Sequence, residues 1–241
     1  MATLSNTHLT MADWAKRLDP DGKIDAIVEI LNDSNPILDD AMVVEGNLPT
    51  GHRTTVRDGL PSVAWRLLNY GVPTSKGKVR QVTDTCGMLE AYAEVDKSLA
   101  DLNGNTSAFR LSEDVAFLEA MNQEMASTLF YGTDANPERF IGLTPRYASY
   151  GSVDGDSSFN TIDGGGTDAV NTSIWMIVWG ENTVHGIYPK GSQAGLSHRD
   201  LGEDTLDDGN GGKYQGYRTH YKWDMGLTVR DWRYAVRIAN I

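Results

Sequence analysis

The sequence predicts an α+β fold, and three features of the chain support this prediction. One segment, Ser112–Tyr131, has the apolar spacing of a single long helix. The segments around it have the composition of short strands and glycine-rich loops, and the most apolar of them is TSIWMIVW, residues 172–179. From Tyr214 onward, apolar and polar residues alternate as they do in strands. With 241 residues and 40% hydrophobic content, the chain can bury a sizeable core.

The first part of the chain predicts short helices separated by proline. Thr10 and Asp13 match a capping box ahead of one apolar stripe, and Asp19-Pro20 begins a second stripe that Asn35-Pro36 ends. Helices this short have few partners nearby in sequence. We therefore expect an extended arm that docks on another surface rather than an independent domain.

From Gly46 the chain becomes basic and is punctuated by proline and glycine. Its predicted strands are Thr54–Arg57, Ser62–Leu68 and Lys78–Thr83, which together suggest a long hairpin. Its basic residues stand out in a chain of net charge −12: Arg53, Arg57, Arg66, Lys76, Lys78 and Arg80. Nucleic-acid binding would need more interleaved aromatic residues than are present here, so contact with an acidic neighbouring surface is the favoured interpretation.

A half-buried strand at residues 89–95 is predicted next, followed by the long helix. Ser112 is its expected N-cap, Glu113 and Asp114 suit the first turn, and Gly132 is its expected stop. The helix contains no histidine for a Glu-x-x-His or His-x-x-x-His site. We therefore expect a scaffolding role for it.

The C-terminal part predicts a strand at 172–179, a turn at GENT and a second strand at Val184–Tyr188. Between these and the final strands, RDLGEDTLDDGNGG predicts an acidic loop that could bind a divalent cation weakly, although such charge runs are mostly solvated. Its acidic residues are Asp200, Glu203, Asp204, Asp207 and Asp208.

No motif in the chain predicts catalysis, a metal centre or a cofactor site. The five histidines are scattered, and DGDSSFNTIDGGG departs from a calcium loop at Phe159 and Gly165. The sole cysteine, Cys86, is expected to be a buried, inert thiol. No stretch approaches the roughly 18 apolar residues of a membrane span. The expectation is a non-enzymatic protein without cofactor, metal or membrane partner.

The order of these elements resembles the major capsid proteins of tailed bacteriophages, in a podophage-like branch. The phrases TTVRDGLPSVAWRLLNYGV and QVTDTCGMLEAYAEVDKSLADLNGN resemble the extended loop and its return, SEDVAFLEAMNQEMASTLFYG resembles the spine helix, and PERFIGL resembles the segment after it. The resemblance covers the chain from about residue 24 and implies four parts. These are an N-terminal arm (1–45), an extended hairpin loop (46–86), a peripheral domain with the spine helix (87–142, helix 112–131) and a peripheral and axial β region (143–241).

The resemblance implies a structural subunit that self-assembles through hexamers and pentamers into an icosahedral shell around phage DNA. Scaffold, portal and decoration proteins are further expected partners, and the packaged double-stranded DNA is not bound sequence-specifically. The implied location is the virion, with assembly in the host bacterial cytoplasm. Such proteins commonly continue past the strand DWRYAVRIANI, so we expect the natural chain to extend beyond Ile241. The implied assembly interface comprises Arg53, Arg57, Trp65, Arg66, Lys78 and Arg80.

One alternative from a different class is a calcium- or carbohydrate-binding mixed-β module. The segment 200–208 would hold the calcium ion, and a stacking surface would be formed by Trp175, Trp179, Tyr188, Trp223 and Trp232. Alternating aromatic residues in strands are more often part of a core, which favours the capsid interpretation.

Overall fold

A computed structural model describes residues 9–11, 35–104, 106–151, 157–167, 171–208 and 210–241. The chain divides into two compact units. Unit one contains Leu89–Ala126 and Gly195–Trp223, together with the described residues before Ile37. Unit two contains Ile37–Met88, Ser127–Ala194 and Asp224–Ile241.

The described residues include four α-helices, three 3-10 turns and nine strands whose bounds are defined. The helices are α1 Pro36–Asp40, α2 Lys97–Ala100, α3 Thr106–Tyr131 and α4 Leu143–Arg146. The 3-10 turns are Leu102–Gly104, Ser157–Asn160 and Trp232–Tyr234. The strands are β1 Val43–Glu45, β2 Gly51–Gly59, β3 Lys78–Asp96, β4 Thr161–Asp163, β5 Ser173–Ile177, β6 Val184–Tyr188, β7 Leu196–Asp207, β8 Lys213–Val229 and β9 Ala235–Ala239. The predicted α+β class is confirmed.

In unit one, α3 packs on the apolar face of β3 and β8. The alternation predicted for residues 89–95 is confirmed, because Ala93 and Val95 are buried whereas Glu90 and Glu94 turn to the other face. Two small clusters form this core. The first comprises Val95, Leu99, Ala100 and Phe109, and the second comprises Ala93, Met121 and Tyr221.

In unit two, two sheets surround a second core. The larger sheet has the order β1-β6-β8-β3-β2, in which β1 pairs parallel to β6 and the β6–β8 and β2–β3 pairs are antiparallel. The smaller sheet has the order β4-β9-β5. The fully buried side chains of this unit include Leu129, Leu143, Tyr147, Ile187 and Leu227.

The long helix is confirmed, but it begins at Thr106, six residues before the predicted start. Ser112 is not a cap: its hydroxyl donates a 2.8 Å hydrogen bond to the Phe109 carbonyl from within the helix. Phe109, which is 2% exposed, packs in the unit-one core and continues the buried side of the helix toward Thr106. Gly132 follows the last helical residue as predicted.

Two predicted elements are wrong. Ser62–Leu68 is not a strand, because this segment has no partner strand and all seven of its residues are exposed. Most of the predicted acidic loop, residues 199–207, belongs instead to the strand β7, which pairs with β8 with one irregularity between Asp200 and Gly202. Only its last residues lie between the two strands. The arm helices predicted between Thr10 and Leu31 fall almost wholly outside the described residues, while Pro36 opens α1 at the first helical position, where a missing N–H costs nothing.

Candidate assembly surface

The β2–β3 hairpin places an irregular loop, residues 60–77, far from its paired base. The register runs from Gly51 opposite Thr85 to Gly59 opposite Lys78, with an irregularity between Arg57 and Gly59. At the base, the Asn47 side chain donates to the Arg53 carbonyl and accepts from the Arg53 N–H, both at 2.7 Å. The sequence thus folds locally as a two-stranded arm that is paired up to the loop, apart from the irregularity between Arg57 and Gly59.

The loop has internal hydrogen bonds that give it a defined path. Ser75 donates from its hydroxyl to the Ser62 carbonyl at 2.6 Å, which joins the two sides of the loop. The Tyr70 N–H donates to the Leu67 carbonyl at 3.2 Å. Asn69 adopts a positive φ of 68° inside this turn, a conformation that asparagine tolerates better than most residues.

The loop is strongly apolar although no core covers it. Trp65 is fully exposed, and six further large apolar side chains are between 52% and 93% exposed: Leu60, Val63, Leu67, Leu68, Tyr70 and Val72. A soluble monomer rarely exposes such a contiguous apolar patch unless it binds another surface. The loop therefore has the chemistry of an interface.

The hairpin is also the basic part of the chain. Residues 46–86 hold six lysines and arginines against two acidic residues, and the loop itself contains no acidic residue. Five of the predicted interface residues (Arg57, Trp65, Arg66, Lys78 and Arg80) are exposed on the hairpin or its loop. Arg53 is exposed too, and its Nε donates to the Thr83 hydroxyl at 3.3 Å near the base. The structure thus brings all six residues together on one hairpin.

Apart from Trp65, sequence reasoning missed the apolar members of this surface. Val63, Leu67 and Leu68 fall within the predicted strand Ser62–Leu68, in the stretch between Pro61 and Gly71. Pro61 and Gly71, which flank this stretch, were the signal that could have marked it as a loop, because proline and glycine often interrupt strands.

Unit one is acidic, with thirteen aspartates and glutamates against six lysines and arginines in residues 89–126 and 195–223. The acidic residues of β7 are largely paired. Lys97 bonds Glu203 at 2.7 Å, Arg218 bonds Asp204 at 3.1 Å and Lys213 bonds Asp207 at 3.0 Å.

The remaining β7 carboxylate belongs to Asp200, which accepts a 2.6 Å hydrogen bond from Arg110. This bond lowers the pKa of Asp200, with a smaller contribution from the Gly202 N–H. The acidic side chains of β7 therefore border a paired edge strand, where charge discourages unwanted strand pairing, and each of the four is paired with a basic side chain. Among the described residues, no group of three or more histidine, cysteine, aspartate or glutamate side chains is arranged to hold a metal ion.

The sole cysteine and two of the tryptophans of the predicted stacking surface pack against other parts of the protein. Burial raises the pKa of the Cys86 thiol to about 11, with Asp224 and Asp84 adding to the effect, so the thiolate form is suppressed at neutral pH. Trp175 packs against Phe130 and Tyr147 in unit two, whereas Trp223 packs beside Tyr221 in unit one. No helix within the described ranges is both long and apolar enough to cross a membrane.

The sequence matches the model of a known protein family over most of its length. The family described as "Major capsid protein GP7" matches residues 19–241. The chain belongs to the major capsid protein GP7 family. It is the structural subunit of a bacteriophage icosahedral shell and a component of the virion, as the resemblance implied, and the alternative of a binding module is set aside.

Solved structures agree with the GP7 assignment. A chain of the near-atomic-resolution structure of bacteriophage Epsilon15 is similar at 38% sequence identity and a TM-score of 0.79, covering 100% of this chain and 72% of that one. The capsid of a native GTA particle (10% identity, TM-score 0.60) covers 93% of this chain and 95% of that one. Mycobacterium phage Adephagia (11% identity, TM-score 0.55) covers 92% of each. These last two show the fold alone. No curated protein matches the sequence.

Proposed function

We propose that the loop at residues 60–77 is the part of the subunit that joins it to its neighbours in a shell of hexamers and pentamers. The observation that carries this proposal is the exposed apolar patch around Trp65 on a hairpin that is otherwise hydrogen-bonded. Burying that patch against another copy removes it from water, and repetition around a closed shell multiplies a weak contact.

The partner surface that suits the hairpin is acidic. The hairpin is the basic part of a chain whose unit one has an excess of acidic residues. We infer that the hairpin of one copy lies over unit one of the next, with Arg57, Arg66 and Arg80 setting the register by charge complementarity. Arg53 lies on β2 with Arg57, and Lys78 lies on β3 with Arg80, whereas Arg66 belongs to the loop between the two strands.

Apolar burial contributes more to this interface than its ion pairs do. Burying one large apolar side chain contributes about 1.5–3 kcal/mol, whereas one solvent-exposed ion pair contributes about 0.2–1 kcal/mol. The seven apolar side chains of the loop therefore supply most of the binding free energy, and the basic residues supply orientation and the rate of encounter.

The remaining parts of the subunit follow the capsid plan. We assign residues 1–45 to an arm, 46–86 to the extended loop, 87–142 to a peripheral domain and 143–241 to the rest of the peripheral and axial β region. The subunit acts without catalysis of its own, assembles in the host bacterial cytoplasm, and meets scaffold, portal or decoration proteins at the shell. Its acidic balance keeps the packaged DNA from binding tightly to the wall.

Two sets of hairpin variants test the interface. Trp65→Ala should raise the protein concentration needed for assembly by at least about tenfold, since it removes one large apolar contact per subunit. Arg57, Arg66 and Arg80 changed together to Glu should abolish assembly, because three attractive contacts become repulsive. The measurement is the assembled fraction by light scattering and negative-stain microscopy over a concentration series.

Matched controls separate the interface from the fold. Trp65→Phe keeps an apolar ring, and Arg-to-Lys changes at the same three positions keep the charge, so both should assemble. Far-UV circular dichroism and thermal melts should be the same for all of these variants, because none of the four side chains is buried. Normal shells from both Trp65→Ala and the triple Glu variant would refute the role of the hairpin.

A further inference from the structure

Two histidine rings meet at the base of the hairpin, within unit two. His52 lies on β2 and His185 on β6, with ring centroids 5.9 Å apart and ring planes at 79°. His185 is 1% exposed, and His52 is half-buried. In the described part of the larger sheet, β3 is the only ladder partner of β2, so this contact lies between β2 and a strand to which it is not hydrogen-bonded.

The hydrogen bonding of the pair suits neutral rings. His185 donates a hydrogen bond to the backbone of Gly180. The Nδ1 atoms of both His52 and His185 are buried, and neither has a hydrogen-bond partner among the described residues. An unpaired acceptor nitrogen on a neutral ring is tolerated at modest cost. Protonation would turn each Nδ1 into a buried, unpaired donor on a cation, which costs considerably more.

The charged groups around the pair do not offset that cost. Arg230 acts on both rings, and its side chain is engaged with the Glu181 backbone carbonyl at 3.0 Å. Asp84, opposite His52 on β3, is the acidic group that acts on His52, but its carboxylate already bonds Arg146 at 2.8 Å. Glu181 is the acidic group that acts on His185.

We propose that His52 and His185 form an acid-releasable fastening between the hairpin base and β6. In the neutral form, the two rings pack edge to face and hold the first residues of β2 against β6. In the protonated form, two cations beside Arg230 repel one another, and the base of the hairpin separates from β6 while the rest of unit two stays folded. The fastening is a property of the single subunit and does not depend on the shell contacts proposed above.

The direction of the pH dependence follows from the environment. Burial, above all, lowers the pKa of both histidines, and Arg230 lowers each further, while His52 adds to the lowering at His185. A histidine with a lowered pKa binds its proton less readily when folded than when unfolded. The fastening is therefore fully present above about pH 6.5 and is lost as the pH falls below that value toward the lowered pKa values.

Hydrogen–deuterium exchange of the full chain tests the fastening directly. Between pH 7.5 and 5.0, after correction for intrinsic exchange rates, amide protection in residues 51–54 should fall by at least about tenfold. Protection in the middle of α3 should stay unchanged over the same range. In His52→Gln, which keeps a polar side chain at a half-buried position, the loss on acidification should be much smaller than in the wild type.

Two further measurements keep the proposal falsifiable if His52→Gln folds poorly. Histidine Cε1 NMR resonances of the wild-type chain should titrate below pH 6.5 for both residues, and residue assignment can come from His185→Asn. His220→Gln, which removes a half-buried histidine of unit one, is the matched control and should show the wild-type loss at residues 51–54. Equal protection at both pH values in the wild type, or an unchanged loss in the His52→Gln chain, would overturn the fastening.

Discussion

At the scale of single residues, the ion pair between Asp84 and Arg146 is the most buried one in unit two among the described residues. The two side chains are 5% and 19% exposed, and their charged atoms lie 2.8 Å apart. Arg146 also donates to the Leu227 carbonyl at 3.0 Å and to the Ile141 carbonyl at 3.3 Å. One guanidinium therefore joins β3, β8 and the segment before α4.

Removing this guanidinium should be costly. Arg146→Leu leaves the Asp84 carboxylate buried without its cation, so the free energy of unfolding should fall by about 3–5 kcal/mol. Urea unfolding followed by circular dichroism measures the change. Adding Asp84→Asn to Arg146→Leu should recover part of the loss, because the buried carboxylate is then replaced by a neutral amide.

The control for this prediction is an exposed pair. Lys213 and Asp207 lie 3.0 Å apart, but their side chains are 63% and 48% exposed. Lys213→Gln should change the free energy of unfolding by less than about 0.5 kcal/mol. Similar losses in Lys213→Gln and Arg146→Leu would mean that burial does not govern the strength of these pairs.

At the scale of elements, the end of α3 has a glycine that both the helix end and the tertiary packing require. The sequence alone predicts Gly132 as the helix stop. In the structure its N–H donates a hydrogen bond to the Thr128 carbonyl at 2.9 Å, which closes the last turn of the helix. A Cβ at this position would clash with the Phe140 carbonyl oxygen and would lie 2.8 Å from that of Thr128. The glycine is thus required by a close backbone approach as well as by the helix end.

Gly132→Ala should therefore lower the melting temperature by several degrees, because the Phe140 backbone has to move to admit the methyl group. The matched control is Gly71→Ala, where nothing lies within 4 Å of the added Cβ, and its melting temperature should stay at the wild-type value. Calorimetry on the two variants compares them. An unaltered melting temperature for Gly132→Ala would show that the segment at Phe140 yields without cost.

Sequence reasoning succeeded at elements whose pattern and burial agree. Val184–Tyr188 was predicted with the bounds that β6 has, because it is apolar, follows a turn and is buried except at its last residue. It failed where tertiary context overrides composition. The acidic residues of β7 indicated a loop, yet long-range ion pairs such as Lys97–Glu203 and the ladder with β8 make it a strand. Neither interaction can be read from local spacing.

The sequence revealed the basic residues of the candidate surface but not most of its apolar residues. Charge is visible in a sequence without knowledge of the fold, so the basic hairpin residues were found directly. The interface role of the apolar residues around Trp65 depends on their being uncovered, and exposure is a property of the folded chain. Their run resembles a strand locally, and only the missing partner strand shows otherwise.

At the scale of the whole molecule, charge and apolar surface make opposite predictions for the effect of salt on assembly. The screening length of charges falls from about 10 Å at 0.1 M salt to about 3 Å at 1 M, so contacts made by the basic hairpin weaken as sodium chloride rises. Apolar contacts of the loop do not weaken in this way, and sulfate strengthens them by its exclusion from protein surface. Because the apolar contribution is the larger, 1 M sodium chloride should slow assembly and leave most of its final extent.

Sodium sulfate at equal ionic strength distinguishes the two contributions. It screens charge to the same degree, so a final assembled fraction higher in sulfate than in chloride identifies apolar burial as the larger contribution to binding. Trp65→Ala should lose much of this sulfate response, whereas Arg-to-Lys changes at residues 57, 66 and 80 should keep it. Static light scattering of the full chain at a fixed concentration provides the measurement. Complete loss of shells in 1 M sodium chloride, with equal loss in sulfate, would reverse the ranking and make the arginines the principal source of binding free energy.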